Sequence, residues 1–210
     1  MDLYSRTGLF IGPFHELMAW ATGITGHVSD LIGSEVACWS VMFGAPAGTL
    51  GWSLPVDGVG GVAANNEKMI GDAKYHEMVA EGRQYSQPGS VEDALMNLAH
   101  GELTDQRPPI GAVATITTVT MQGRWPEAMA WGAEMAQLHE EIIGTPILFG
   151  RNAVGSTETV GWIAVHANAA AEQASGAKIM ANEDVSKKMG EATGLFVIGS
   201  GHATIMTRVA

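Results

Sequence analysis

Glu16-Leu17-Met18-Ala19-Trp20 recurs as Glu127-Ala128-Met129-Ala130-Trp131, and reading the two pentapeptides as one place in two copies of a unit decides the fold. The offset between them is 131 − 20 = 111 residues. Ile32-Gly33 and Ile143-Gly144 keep 111, Gly51-Trp52 and Gly161-Trp162 stand at 110, and Met69/Met180 and Met78/Met189 read as a return to 111. The one-residue change falls across Gly44-Ala45-Pro46-Ala47-Gly48, which has the residues of a hairpin loop and so tolerates a deletion. The chain reads as a tandem duplication, with a first module at 1–104, a linker at 105–110 and a second module at 111–210. Around the linker, Glu102-Leu103-Thr104-Asp105-Gln106-Arg107-Pro108-Pro109 is polar and ends in a proline pair that cannot continue a strand ladder.

Each copy has the same order of patterns. An alternating run at 3–11, echoed by 112–121, predicts a first strand. Leu17, Trp20, Ile24, Val28 and Leu31 recur at helical steps, as do Ala128, Trp131, Met135, Leu138 and Ile142, with Gly33 and Gly144 as stops. Strand pairs follow at 35–43 with 49–56 and at 146–154 with 157–166. A second helix at 62–81 and 169–190 and a last strand at 92–102 and 201–209 complete each copy. The order is β-α-β-β-α-β, an α+β class and a ferredoxin-like arrangement, whose four-stranded sheet carries both helices on one face. The other face needs cover, and two such sheets packed together supply it.

Composition narrows the partners. Eleven Lys and Arg stand against 22 Asp and Glu, a net charge of −11 that repels phosphate backbones and anionic membrane surfaces. No nucleic-acid or membrane partner is expected, and without a basic-then-apolar leader the chain is expected to be cytoplasmic. The lone cysteine, Cys38, excludes an internal disulfide and reads as a buried thiol. His76-Glu77-Met78-Val79-Ala80 lacks the second histidine of a zinc-protease helix, so no metal site is expected.

The duplicated β-α-β-β-α-β order resembles the dimeric α+β barrel superfamily, with both halves fused in one chain. The resemblance is architectural and covers nearly all of the sequence. It implies sheet-to-sheet packing and, for function, a small-molecule enzyme of the cofactor-independent oxygenase, cyclase or isomerase type. The substrate would be largely apolar and held in the cleft between the sheets. Two other readings stand beside it: a non-catalytic ligand-binding or oligomeric assembly protein, and a haem-binding protein, since one axial histidine leaves no spacing signature. No cofactor is predicted, and the partners are a small-molecule ligand and, as a second copy of the chain, a homo-oligomer.

Strand alternation proposes the site. Ala94, Met96 and Leu98 with Ala203, Ile205, Thr207 and Val209 are expected to meet the helices. Asp93, Leu95, Asn97 and Ala99 with His202, Thr204, Met206 and Arg208 are expected between the sheets, with Tyr4 and Arg6, which correspond to Thr115 and Thr117. In this alignment Asn97 answers to Arg208 and Asp93 to His202, a divergence that suits one ligand bound asymmetrically and equally suits rim ion pairs. Among seven histidines, His166 ends a strand and His202 begins one. With Arg208 they form the candidate catalytic set, the arginine polarising a carbonyl or enolate and a histidine moving the proton. Asp93, Asn97, Arg6 and Tyr4 are the substrate-binding candidates, joined by Trp39, which has no tryptophan partner in the other copy and is expected to edge a pocket. Gly58-Val59-Gly60-Gly61-Val62-Ala63 fits G-x-G-x-x-A, but no buried parallel strand ending in an acid follows, so it reads as a helix entry or flap.

Overall fold

A computed structural model describes residues 1–104 and 107–210; two linker residues, 105 and 106, lie outside the described residues. The first module runs β1 (Asp2–Leu9), α1 (Phe14–Ile32), β2 (Ala37–Phe43), β3 (Thr49–Val56), α2 (Gly58–Ile70), α3 (Ala73–Gly82) and β4 (Glu92–His100). The second runs β5 (Val113–Thr120), α4 (Trp125–Ile143), β6 (Ile147–Val154), β7 (Thr159–His166), α5 (Ala169–Met180), α6 (Glu183–Gly190) and β8 (His202–Arg208). The single second helix expected in each copy is two helices. A short polar side chain ends the run: Asp72 accepts from the Tyr75 amide, and Asn182 from those of Asp184 and Val185, each capping a new helix.

The two sheets do more than face each other. Their edges join, β2 to β8 and β4 to β6, and the strands close as β1-β3-β2-β8-β5-β7-β6-β4 into one antiparallel barrel. Helices α1 and α4 lie along the outside, where Leu17 and Ala21 pack on Cys38 and Leu50, and Ala128, Trp131 and Met135 on Phe149 and Val160. Burial pushes the Cys38 thiol up to about 12, which leaves it an inert apolar filler. Inside the barrel, Trp39, Ala37, Ala114 and Met206 form a separate cluster.

Two interior contacts are related by the duplication. Met206 Cε lies 3.3 Å from where a Cβ on Gly51 would sit, and Met96 Cε lies 3.1 Å from the same point on Gly161. Each module's last strand thus sends a methionine over the other module's glycine. Trp39 breaks the symmetry: it pairs with Gly51 as Gly150 pairs with Gly161, so an indole on one side answers to a glycine on the other.

The same contacts correct the register. Trp20 donates its indole N–H to the Met78 carbonyl at 2.8 Å and Trp131 to that of Lys188 at 2.9 Å, an offset of 188 − 78 = 110. Met78 therefore answers to Lys188, and Met69 to Ile179, since the offset stays at 110 beyond the hairpin loop. The expected alignment of the closing strands falls with it: Asp93 answers to Ala203 and Asn97 to Thr207. Because side chains alternate, that slip inverted the faces of β4. Ala94, Met96 and Leu98 look into the barrel, while Asp93 and Leu95, with Tyr4 and Arg6, look outward to the helices; β8 carries Thr204 and Met206 inward as expected.

Residues 111–210 produced alone would expose the β6 and β8 edges and an interior lacking Met96 and Trp39. We expect light scattering to find them associated, and a compact, cooperatively unfolding monomer would contradict the shared interior.

Candidate functional site

Between the outer face of β1 and β3 and the helices α1, α2 and α3 lies a cavity of about 240 Å³. Its walls are mostly apolar, with the indoles of Trp20 and Trp52 beside Ile24, Val28, Leu54 and Val62. The helical periodicity supplies the first wall and the outward positions of β3 the second. Trp52 is pinned by its indole N–H, which donates to Thr25 Oγ1 at 2.8 Å; that hydroxyl in turn donates to the Ala21 carbonyl at 2.6 Å.

One polar cluster enters this space. Arg6 sits opposite Asp93 in the β1–β4 register, and its Nε and Nη2 donate to the two carboxylate oxygens at 2.8 and 2.9 Å. The Tyr4 hydroxyl donates to the same carboxylate at 2.7 Å. Arg6 holds Asp93 below the usual carboxylate range against the opposing effect of burial, and Tyr4 helps it. Burial, then the bond to Asp93, raises Tyr4, so the phenol stays protonated at neutral pH. The fork leaves Arg6 Nη1 without a partner among the described residues. Tyr75, Asn65 and Asn66 add further polar side chains to the wall, with no hydrogen bond from their side chains to the described protein. A smaller cavity of about 150 Å³ shares Tyr4, Val62 and Asn66 with the first and has Asp93 and Val59 on its own wall. The glycine-rich segment forms the first turn of α2 and brings Val59 there.

The second module fills the corresponding space. Phe149 stands where the first has Cys38, and it is admitted by Gly132, where a Cβ would lie 2.1 Å from the phenyl ring. Phe196 replaces Ser86 and Val185 replaces Tyr75, and the rings of Phe149, Trp131, Trp162 and Phe196 pack at 4.8 to 6.3 Å. Thr115, Thr117 and Ala203 take the places of Tyr4, Arg6 and Asp93.

Of the residues singled out in the sequence, Tyr4, Arg6 and Asp93 come together, on the helix side of the sheet instead of between the sheets. Asn97 is exposed, on the outer face opposite Arg151 and away from the cavity. Trp39 lines neither cavity; it is 7% exposed inside the barrel and donates to Ser53 Oγ at 2.9 Å. His202, Arg208 and His166 do not converge. His202 is exposed at one end of β8 and Arg208 buried at the other, roughly 20 Å apart at about 3.3 Å per residue. Arg208 is tied down by the Pro108 and Ala210 carbonyls and the Glu35 carboxylate. His166 is buried against α5, with Ser175 Oγ 3.5 Å from Nδ1, and burial lowers its pKa. Among the described residues, no group of three or more His, Cys, Asp or Glu side chains is placed to hold a metal ion, and no helix is long and apolar enough to cross a membrane.

No family model and no curated protein matches the chain. Solved structures do. A candidate monooxygenase of Fusobacterium nucleatum superposes with a TM-score of 0.66 at 8% identity, covering 100% of this chain and 92% of that one. An anthrone oxidase-like protein gives 0.63 at 13% identity, with 100% and 91% covered. A protein described as a candidate chlorite dismutase gives 0.57 at 12%, with 100% and 96% covered. The fold is the dimeric α+β barrel, with both modules in one chain.

The ion pair makes a signed prediction. A carboxylate whose folded pKa is depressed adds stability above its unfolded value, about 3.9, and that stability is lost as pH falls through the folded value. Asp93→Asn should therefore lower Tm at neutral pH and reduce the further loss on acidification below about pH 4. Parallel Tm–pH curves for the two proteins would show that the pair does not couple to folding.

Proposed function

We propose that this protein is an oxygenase-type enzyme for a small, largely apolar organic substrate, bound in the cavity between the first sheet and its helices. The observation that carries the reading is the pair Tyr4 and Arg6, both bonded to Asp93, on the wall of a mostly apolar, indole-lined cavity. The neighbours described as monooxygenases and as anthrone oxidase-like support the same reaction class.

The indoles offer flat faces to an aromatic substrate. Arg6 Nη1, aimed by the fork to Asp93, donates to a carbonyl or enol oxygen and stabilises negative charge as it develops there. An electron-rich enolate or phenolate of this kind is the species that dioxygen oxidises, in the overall conversion CH₂ + O₂ → C=O + H₂O at an activated methylene. The Tyr4 hydroxyl bond to Asp93 offers a proton route from the cavity wall toward the smaller cavity. This reading gives no part to His202, Arg208 or His166, which line neither cavity. No histidine or cysteine lines either of these two cavities, so neither wall offers haem one of those axial ligands.

Oxygen uptake measured with polycyclic activated-methylene substrates such as anthrone should exceed the uncatalysed rate and put one labelled oxygen atom from O₂ into the ketone. Arg6→Gln should cut kcat/KM by about 100-fold. Tight binding of such compounds without oxygen uptake would favour a ligand-binding protein instead.

A further inference from the structure

The charge of the larger cavity's wall runs against that of the chain. The protein carries 22 Asp and Glu against 11 Lys and Arg, yet two arginines, Arg6 and Arg83, line this cavity and no acid does. Arg6 is compensated from the side, since Asp93 takes its Nε and Nη2. Arg83 is not: among the described residues its side chain has no hydrogen-bond or ion-pair partner. It follows the last residue of α3 with helical φ and ψ of −60° and −29°. Tyr75, Val79 and Arg83 therefore fall at steps of four on one face, and all three line the cavity. Tyr75 is close enough to Tyr4 and Arg6 to interact with both, and 83 − 75 = 8 residues of helical chain put Arg83 about 12 Å further along. Val79 and the Trp20 indole, which packs against Gly82, keep that stretch of wall apolar. In the filled second module, Thr117 and Thr193 stand in the places of the two arginines.

An apolar slot with an uncompensated guanidinium on its wall suits an amphiphilic anion, and one such cation matches the single charge and two oxygens of a carboxylate. We infer that the cavity takes aromatic carboxylates, rings against the indoles and carboxylate on Arg83, in preference to neutral ligands of the same shape. The inference rests on the cavity being the substrate site, and it adds an anchor there. A ketone or enol oxygen at Arg6 Nη1 and a carboxylate at Arg83 hold one substrate at two separated points and so fix its direction in the cavity. Arg83 is then a specificity-determining residue, remote from the oxygen that Arg6 polarises. It is exposed and stands at the C-terminal end of α3, whose dipole offsets part of its charge. Water and the dipole together hold the preference to about fivefold.

The test is equilibrium dialysis of the full chain at pH 7 against 2-naphthoate and 2-naphthamide, an anion and a neutral ligand of nearly the same shape. Wild type should bind 2-naphthoate about fivefold more tightly. Arg83→Gln should abolish the preference by weakening 2-naphthoate alone, and Arg83→Glu should reverse it. Because Arg83 is exposed and its side chain is bonded to no described residue, neither substitution removes a contact of the fold. A general loosening would weaken both ligands together and leave their ratio where it was. Tighter binding of 2-naphthamide by wild type overturns the inference, as does a preference for 2-naphthoate that survives both substitutions; either result leaves the cavity as the site. Failure of both ligands to bind overturns the site itself and the inference with it.

Discussion

An open four-stranded sheet has two edges whose N–H and C=O groups lack partners, and one face with nothing on it. Closing two such sheets edge to edge meets both needs, and everything else in this protein follows from that closure. The joints β2–β8 and β4–β6 satisfy the edges with backbone bonds between modules. They also turn the bare faces inward, so that the barrel interior is a core shared by both copies. With the interior filled by Trp39, Met96, Met206 and facing glycines, the space for a ligand lies outside, under the helices.

The duplication gave the chain two chances at such a space, and the copies have used them differently. In the second module, Gly132 admits Phe149, and a four-ring cluster makes the helix-to-sheet layer a solid core. In the first, Cys38 and Ser86 leave the volume open, and Tyr4, Arg6 and Asp93 give it a polar wall. One half of the barrel is stiffened by aromatic packing while the other carries the recognition chemistry, an unequal division that a symmetric dimer of identical chains could not make.

Much of this was legible in the sequence. The recurring Glu-x-Met-Ala-Trp motif and the β-α-β-β-α-β order gave the duplication and the α+β class, because hydrophobic periodicity and repeat offset survive small errors of alignment. The helix break at Asp72 and Asn182 was not read, although both residues are strong caps; the apolar period runs across them. The site was half legible. Tyr4, Arg6 and Asp93 stood out as polar residues on strands, but on the wrong face: a one-residue slip in the offset moved Asp93 to the other side, and Tyr4 and Arg6 were placed inside with it although their alignment was correct. Asn65, Asn66 and Tyr75 were missed because polar residues on a helix look the same whether they face solvent or a cavity.

The exchange of Trp39 for Gly150 makes each module's interior depend on the other. A barrel made of two first modules would have to house two indoles where one now fits, and a barrel of two second modules would be left with none. Each half has become the complement of the other instead of a copy of itself. Neither half, paired with a copy of itself, would fill the shared interior as the two now do together.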